Sequence, residues 1–189
     1  MDGKLALSGR PALFLDRDGV INHDRGFVFK REDFEFVDGI FDVCRAARLR
    51  GFAIFVVTNQ SGIGRGYYTE RDFLELTEWM SGVFRSEGVR IDKVYFCASH
   101  PEFGLGAYEM DSPFRKPGPG MILQAADEFD VDLDKSVLVG DRESDMQAAL
   151  NAGVGCRLLY RPVQYSEVSA PTVAHATITR LVDLERFLL

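Results

Sequence analysis

The sequence predicts an α/β fold: a Rossmann-like three-layer sandwich with helices on both faces of a central, mainly parallel sheet. Three observations predict it. Short apolar runs recur at 11–15, 52–57, 92–96, 136–139 and 154–160, the length of strands rather than helices. Segments with helical spacing of apolar residues lie between most of them, and strand–helix alternation favours parallel pairing. Polar, glycine-containing sets follow the first, second and fourth runs, at 16–19, 58–62 and 140–145. In such sheets ligands bind beyond the carboxyl ends of the strands, so distant groups would share one rim.

Each element has its own signal. Pro11-Ala12-Leu13-Phe14-Leu15 is continuously apolar, as a strand covered on both faces should be. Residues 22–37 mix Gly26, Phe27 and Phe29 with charges and read as a flap over that strand's end. Residues 39–50 place Ile40, Phe41, Val43, Cys44, Ala47 and Leu49 at helical spacing, and Gly51 would end the helix. The second strand, 52–57, stops at the polar turn 58–62. Thr69, with Asp72 three residues on, marks the start of a helix running to about 86. A third strand follows at 92–96, then an irregular stretch at 98–116 carrying Pro101, Gly104, Gly106 and Pro113. Helix resumes from 118 or 120 to 129. The fourth strand, 136–139, closes on Gly140-Asp141. A helix over 144–151 ends at Gly153, and 154–160 is a fifth strand. The tail 161–189 is less regular, with a final helix near 181–188. No internal repeat or low-complexity segment appears, and 189 residues suit one domain with its core at 11–160.

Composition narrows the partners. Apolar residues make up 46% and charged residues 27%, ordinary for a soluble globular chain. With 22 basic and 29 acidic residues the net charge is −7, which argues against nucleic acid or an anionic membrane as the main partner. A local basic cluster could still bind a phosphorylated substrate. Cys44, Cys97 and Cys156 are scattered and odd in number, so no disulfide framework is expected. No apolar run approaches the ~20 residues of a membrane span, and residues 1–10 lack an apolar signal core. A monomeric cytoplasmic protein is the expectation.

Asp16 and Asp18 sit two residues apart at a strand end, and Asp141 offers a third carboxylate after the fourth strand. Two carboxylates ~4 Å apart repel by roughly 4 kcal/mol at an effective dielectric of ~20. A divalent cation relieves that cost, as would protonation. Oxygen ligands of this kind suit Mg²⁺. Thr58 supplies a hydroxyl and Lys116 a positive charge. Together these groups form an inventory for phosphoryl transfer through an acyl-phosphate, with Asp18 protonating the leaving alcohol and then deprotonating water.

Asp16-Arg17-Asp18-Gly19-Val20, Thr58-Asn59-Gln60-Ser61-Gly62, Arg115-Lys116-Pro117 and Gly140-Asp141-Arg142-Glu143-Ser144-Asp145 resemble the four ordered motifs of the haloacid dehalogenase (HAD) superfamily. Over 11–160 the chain is similar to its bacterial D-glycero-D-manno-heptose 1,7-bisphosphate phosphatases and histidinol-phosphate phosphatase domains. The resemblance implies Asp16 as nucleophile and Asp18 as proton donor. It implies Mg²⁺ held by the Asp16 side chain, the Asp18 backbone carbonyl and Asp141. Thr58 and Lys116 would stabilise the phosphoryl group. Arg115, the flap residues Asp24, Arg25, Gly26 and Phe27, and Asn59, Gln60 and Ser61 would contact substrate. The small insertions imply no large cap domain. The leading substrate is heptose 1,7-bisphosphate; histidinol phosphate, or a non-catalytic phosphate-binding module on the same fold, are the alternatives.

One departure stands out. The heptose-bisphosphate group carries a structural zinc loop, and here its positions hold Cys97, Ser99, Ser112 and Phe114, with His100 adjacent. Cys97 and His100 are two ligands where a structural zinc needs four, so no zinc is expected. Phe103, Leu105, Tyr108 and Phe114 should then hold the loop by apolar and turn contacts. Three further residues stay open. Asp145 either orients Lys116 or the metal's waters, or caps a helix. Arg65 meets a distal phosphate or is a solvated loop residue. His23 touches substrate or lies on the surface.

Overall fold

The computed structural model describes residues 9–162 and 171–189; residues 1–8 and the tail segment 163–170 lie outside the description. Six strands form one sheet: β1 (Ala12–Leu15), β2 (Ala53–Asn59), β3 (Lys93–Cys97), β4 (Val137–Gly140), β5 (Cys156–Tyr160) and β6 (Ala176–Ile178). Their order is β3-β2-β1-β4-β5-β6, and every pairing is parallel. The chain winds outward from β1 in one direction, then returns to β4 beside it and winds the other way. The reversal between β1 and β4 creates a crevice at their carboxyl ends, where Asp16 and Asp141 emerge.

Period-two alternation divides the sheet's side chains between two cores. Leu13, Leu15, Ile54, Val56, Val137 and Val139 face one layer. Ala12, Phe14, Ala53, Phe55, Val57 and Leu138 face the other. The first layer is covered by α1 (Ile40–Leu49), the end of the chain and α3 (Glu70–Ser86), which buries Leu76, Met80 and Phe84 there. Each such large apolar side chain contributes roughly 1.5–3 kcal/mol on burial. The second layer is covered by α4 (Gly120–Phe129) and α5 (Glu143–Ala152). α3 opens with the capping box expected of Thr69 and Asp72.

Four details differ from the sequence reading. β2 continues through Thr58 and Asn59, which pair with Phe96 and Cys97, so these residues are strand rather than turn. A four-residue helix, α2 (Ser61–Gly64), follows at once. The tail adds β6, a strand of three residues. The final helix is a run of 3-10 turns, Leu181–Phe187.

The flap over 22–37 is anchored at both ends. Asn22 bridges to Asp18 and Phe36. Phe34 and Phe36 pack against Trp79, and Phe36 also against Phe41 and Phe84, which ties the flap's return to α1 and α3. Among the described residues the connections contain no second sheet, and the sheet's carboxyl edge carries no large cap. No described helix is long and apolar enough to cross a membrane.

Candidate active site

The carboxyl ends of the central strands converge on a cavity of about 440 Å³. Asp16 follows β1 directly and is buried. Its Oδ1 accepts the Arg17 backbone N–H at 2.7 Å and faces Lys116 Nζ at 3.0 Å. No protein donor among the described residues reaches its Oδ2. Lys116 is brought in from the loop before α4 and its side chain is only 3% exposed. Its ammonium has three partners: Asp16, Asp145 Oδ1 at 2.5 Å and the Val57 carbonyl at 2.9 Å. Those contacts keep the lysine charged, its pKa raised despite burial.

Asp145 therefore does both things left open for it. Oδ1 pairs with Lys116, while Oδ2 accepts the Arg142 N–H at 3.0 Å and caps α5. Gly140 lies against it so closely that a Cβ there would meet Asp145 Cβ at 2.2 Å. Asp141 differs: its Oδ1 is buried with no hydrogen-bond partner among the described residues. Gly19 has φ +90°, and a Cβ there would fall 2.4 Å from Asp141 Oδ2.

Asp16, Asp141 and Asp145 bring one oxygen each within 4.8 Å of one another. Three carboxylates face one ammonium, a surplus of negative charge in a buried place. Burial foremost pushes Asp16 up to about 8; Lys116 opposes this, while Asp145, Asp141 and Asp18 add to it. Burial, then Asp145, pushes Asp141 up to about 6. A cation relieves this. Asp145 is occupied by Lys116 and Arg142, so Asp16 and the orphaned Asp141 oxygen are the side chains that fit a divalent ion.

The Asp18 carboxylate turns away from that cluster. Arg17, buried to 1%, holds it through Nε at 3.2 Å and Nη2 at 2.8 Å. Asn22 Nδ2 donates to it at 3.0 Å and Gln60 Nε2 at 2.9 Å. Unpaired, the Arg17 guanidinium would cost several kcal/mol. Asp18, the Val28 carbonyl and the Phe73 ring offset that cost. Thr58 is buried, and its hydroxyl accepts Gln60 Nε2 at 2.8 Å.

Of the residues expected at substrate, Asp24, Gly26, Phe27, Asn59, Gln60, Ser61 and Arg115 line the cavity. Arg25 does not; it pairs with the exposed Glu35. Asn59 spends its amide on the Lys116 backbone, donating to O and accepting from N, each at 3.0 Å. Arg65 reaches the lining and stacks over Phe103, 4.5 Å from the ring centroid. His23 lies at a separate depression beside Asp141. Arg142, His100, Ser144 and Tyr68 also line the cavity and were not anticipated. The GDRESD run pointed to Arg142 and Ser144; nothing local marked Tyr68.

The 98–116 loop is held differently from expectation. Phe103, Leu105 and Phe114 are exposed, and only Tyr108 packs inward. Backbone bonds do the holding, His100 N to Tyr108 O at 3.0 Å and Leu105 N to Gly64 O at 2.8 Å. His100 Nδ1 accepts the Glu102 and Phe103 amides, both at 3.2 Å.

Comparison with known proteins agrees with this geometry. A family model described as HAD-hydrolase-like matches residues 113–175. D-glycero-alpha-D-manno-heptose-1,7-bisphosphate 7-phosphatase of Burkholderia mallei is 56% identical over 94% of this chain and 93% of its own. The chain belongs to the HAD family of phosphatases. The D-glycero-beta-D-manno-heptose-1,7-bisphosphate 7-phosphatase of Yersinia pestis is 44% identical over 93% of this chain and 94% of its own. Among solved structures, a HAD-like phosphatase from Mesorhizobium loti superposes with TM-score 0.84 at 33% identity, covering 100% of this chain and 90% of its own. The D,D-heptose 1,7-bisphosphate phosphatase of B. bronchiseptica, complexed with magnesium and phosphate, gives TM-score 0.79 at 26% identity over 94% of this chain and 97% of its own. The all-parallel sheet and its motif-bearing strand ends are those of a HAD phosphatase.

Proposed function

We propose that this HAD phosphatase removes the 7-phosphate of D-glycero-D-manno-heptose 1,7-bisphosphate through an aspartyl-phosphate on Asp16. The observation that carries the reading is that the cavity has two cationic stations. Lys116 stands beside Asp16 at the buried end. Arg65 and Arg115 also line the cavity, with Arg142, whose guanidinium is already paired with Asp24 at 2.8 Å. Burial first, and then the charges of Arg65 and Arg142, push the Arg115 pKa down. An anion among these guanidiniums would relieve their crowding, so a substrate with two phosphates satisfies both stations. His100, whose pKa is lowered by desolvation and then by Arg115 and Arg65, has Nδ1 accepting two backbone amides, so its neutral ring offers Nε2–H as a donor beside them.

In the proposed reaction Asp16 Oδ2 attacks phosphorus in line with the sugar oxygen. Asp18 gives that oxygen its proton, and the acyl-phosphate forms as the P–O bond to the sugar breaks. Water then attacks the phosphorus, Asp18 takes its proton, and Asp16 is restored with release of inorganic phosphate. Lys116 and the Thr58 hydroxyl meet the phosphoryl oxygens as charge develops. Asp16, Asp141 and the Asp18 backbone carbonyl would hold Mg²⁺, which when bound shields the charge between an anionic nucleophile and an anionic phosphate. Asp24, Gly26 and Phe27 of the flap, with Ser61, would contact the sugar, and Arg115 the second phosphate. No structural zinc is proposed, because His100 has committed Nδ1 to two backbone amides and two of the loop's four positions are serine.

The relative at 56% identity is named for the α anomer and that at 44% for the β, which favours the α-bisphosphate here. Phosphate release from both anomers and from histidinol phosphate, compared by kcat/KM with Mg²⁺ present, tests the reading. The α-bisphosphate should lead. A preference for histidinol phosphate would overturn the sugar assignment.

A further inference from the structure

Tyr68 lies outside all four motifs, yet it is 5% exposed and bonded to the centre of the site. Its hydroxyl donates to Gln60 Oε1 at 2.6 Å. The same amide donates through Nε2 to Asp18 Oδ2 at 2.9 Å and to Thr58 Oγ1 at 2.8 Å. These three bonds fix which way the amide points. A carboxylate only accepts, so the nitrogen must face Asp18, and the oxygen must then face a donor. Burial pushes the Tyr68 phenol up to about 12, so it stays a donor. Thr58, having accepted from Gln60, keeps its own proton free for a phosphoryl oxygen.

The phenol is itself held from the flap side. Phe29 stacks on its ring at 5.1 Å and 8°. Gly62 passes so close that a Cβ would lie 2.2 Å from Tyr68 Cε1 and 2.9 Å from Phe27 Cδ1. Flap aromatics, Tyr68, Gln60 and two reactive groups thus form one contiguous set.

We propose that Tyr68 and Gln60 are a positioning pair: one amide aims both the Asp18 carboxylate and the Thr58 hydroxyl, and Phe29 of the flap seats it. The pair touches no reacting atom of the substrate; it sets the groups that do. The inference rests on the reading of Asp18 as proton donor given above.

Tyr68→Phe removes the donor and keeps the stacked ring. The readout is kcat/KM, which covers the steps through formation of the aspartyl-phosphate, on a sugar phosphate and on p-nitrophenyl phosphate. A sugar alkoxide needs a proton to leave and nitrophenolate does not. General-acid catalysis contributes ~10²–10⁴-fold, so misaiming Asp18 should lower kcat/KM on the sugar phosphate at least about tenfold. The loss on the aryl phosphate should be at least about fivefold smaller. Equal losses, or none, overturn the pair. Asp18→Asn run alongside separates the causes. If it lacks the asymmetry, the acid role of Asp18 falls and the pair with it. If it shows the asymmetry and Tyr68→Phe does not, the pair alone is wrong. Phe29→Leu, which leaves the hydroxyl in place, should show a smaller shift in the same direction; an unaltered ratio would remove the flap from the set.

Discussion

Replacing Asn59 tests how the site lysine is aimed. Asn59 clasps the Lys116 backbone with two hydrogen bonds of 3.0 Å, one given and one received. Each is worth ~0.5–1.5 kcal/mol net, so Asn59→Ala should remove ~1–3 kcal/mol of stability. At ~2–4 °C per kcal/mol for a chain of this size, Tm should fall by ~2–12 °C. Asn59→Asp keeps the acceptor for Lys116 N but sets a carboxylate oxygen against the Lys116 carbonyl, and should lose at least as much as the alanine variant. The ammonium would still have Asp16, Asp145 and the Val57 carbonyl, but on a loosened backbone. A misplacement of ~1 Å costs ~10²-fold, so partial loosening should lower kcat by about tenfold with KM little changed. Calorimetry and saturating steady-state kinetics on the three proteins give both numbers. A raised KM with Tm and kcat unchanged would refute the reasoning and make Asn59 a substrate contact instead of a strut.

Four other outcomes are expected. Asp16→Asn should abolish turnover and leave circular dichroism unaltered; retained turnover would remove Asp16 as the nucleophile. Arg65→Ala should raise KM for the heptose bisphosphate several-fold more than for a sugar monophosphate, and equal changes would detach Arg65 from the second phosphate. Metal analysis of purified protein should find less than one tightly bound zinc per chain, with stoichiometric zinc contradicting the loop argument. In chelator, stability should fall as pH rises from about 4 to about 8, because the folded state holds protons on Asp141 to about 6 and on Asp16 to about 8 while the unfolded chain releases them near 4. Saturating Mg²⁺ should flatten that slope, and a flat slope in chelator would show that the carboxylates are not strained as described.

How much of the fold was legible depended on length and on what followed each apolar run. β1 and β4 could be read because a continuous apolar stretch met an acidic glycine turn. β6 could not: Ala176, Thr177 and Ile178 are three residues, with only Ile178 buried, and they pair solely because β5 offers an open edge. That is a tertiary cause with no local signature. The end of β2 was misjudged for a related reason. Thr58 and Asn59 are polar and look like a turn, yet β3 runs beside them and supplies their ladder partners. Functional polar residues at a strand's end break the apolar pattern without breaking the strand.

The site divides along the same line. Asp16, Thr58 and Asp141 were legible because each follows or closes a strand, and Lys116 because it stands just before a helix; each carries chemistry the others need. What could not be read was which of their neighbours serve substrate and which serve one another. Asn59 and Gln60 have the composition of a binding turn, but their amides are committed to Lys116, Asp18 and Thr58. Arg17 is a charge inside a motif, and only the structure shows it buried with Asp18 as its counter-ion. A sequence lists donors and acceptors without their pairings, and here those pairings decide the roles. Once Asp145 is paired with Lys116 and Asp18 with Arg17, Asp141 Oδ1 is a buried acid oxygen of the site with neither a hydrogen bond nor an ion pair among the described residues. The pairings as well as the motif thus support the proposal that Asp141 joins Asp16 at a cation.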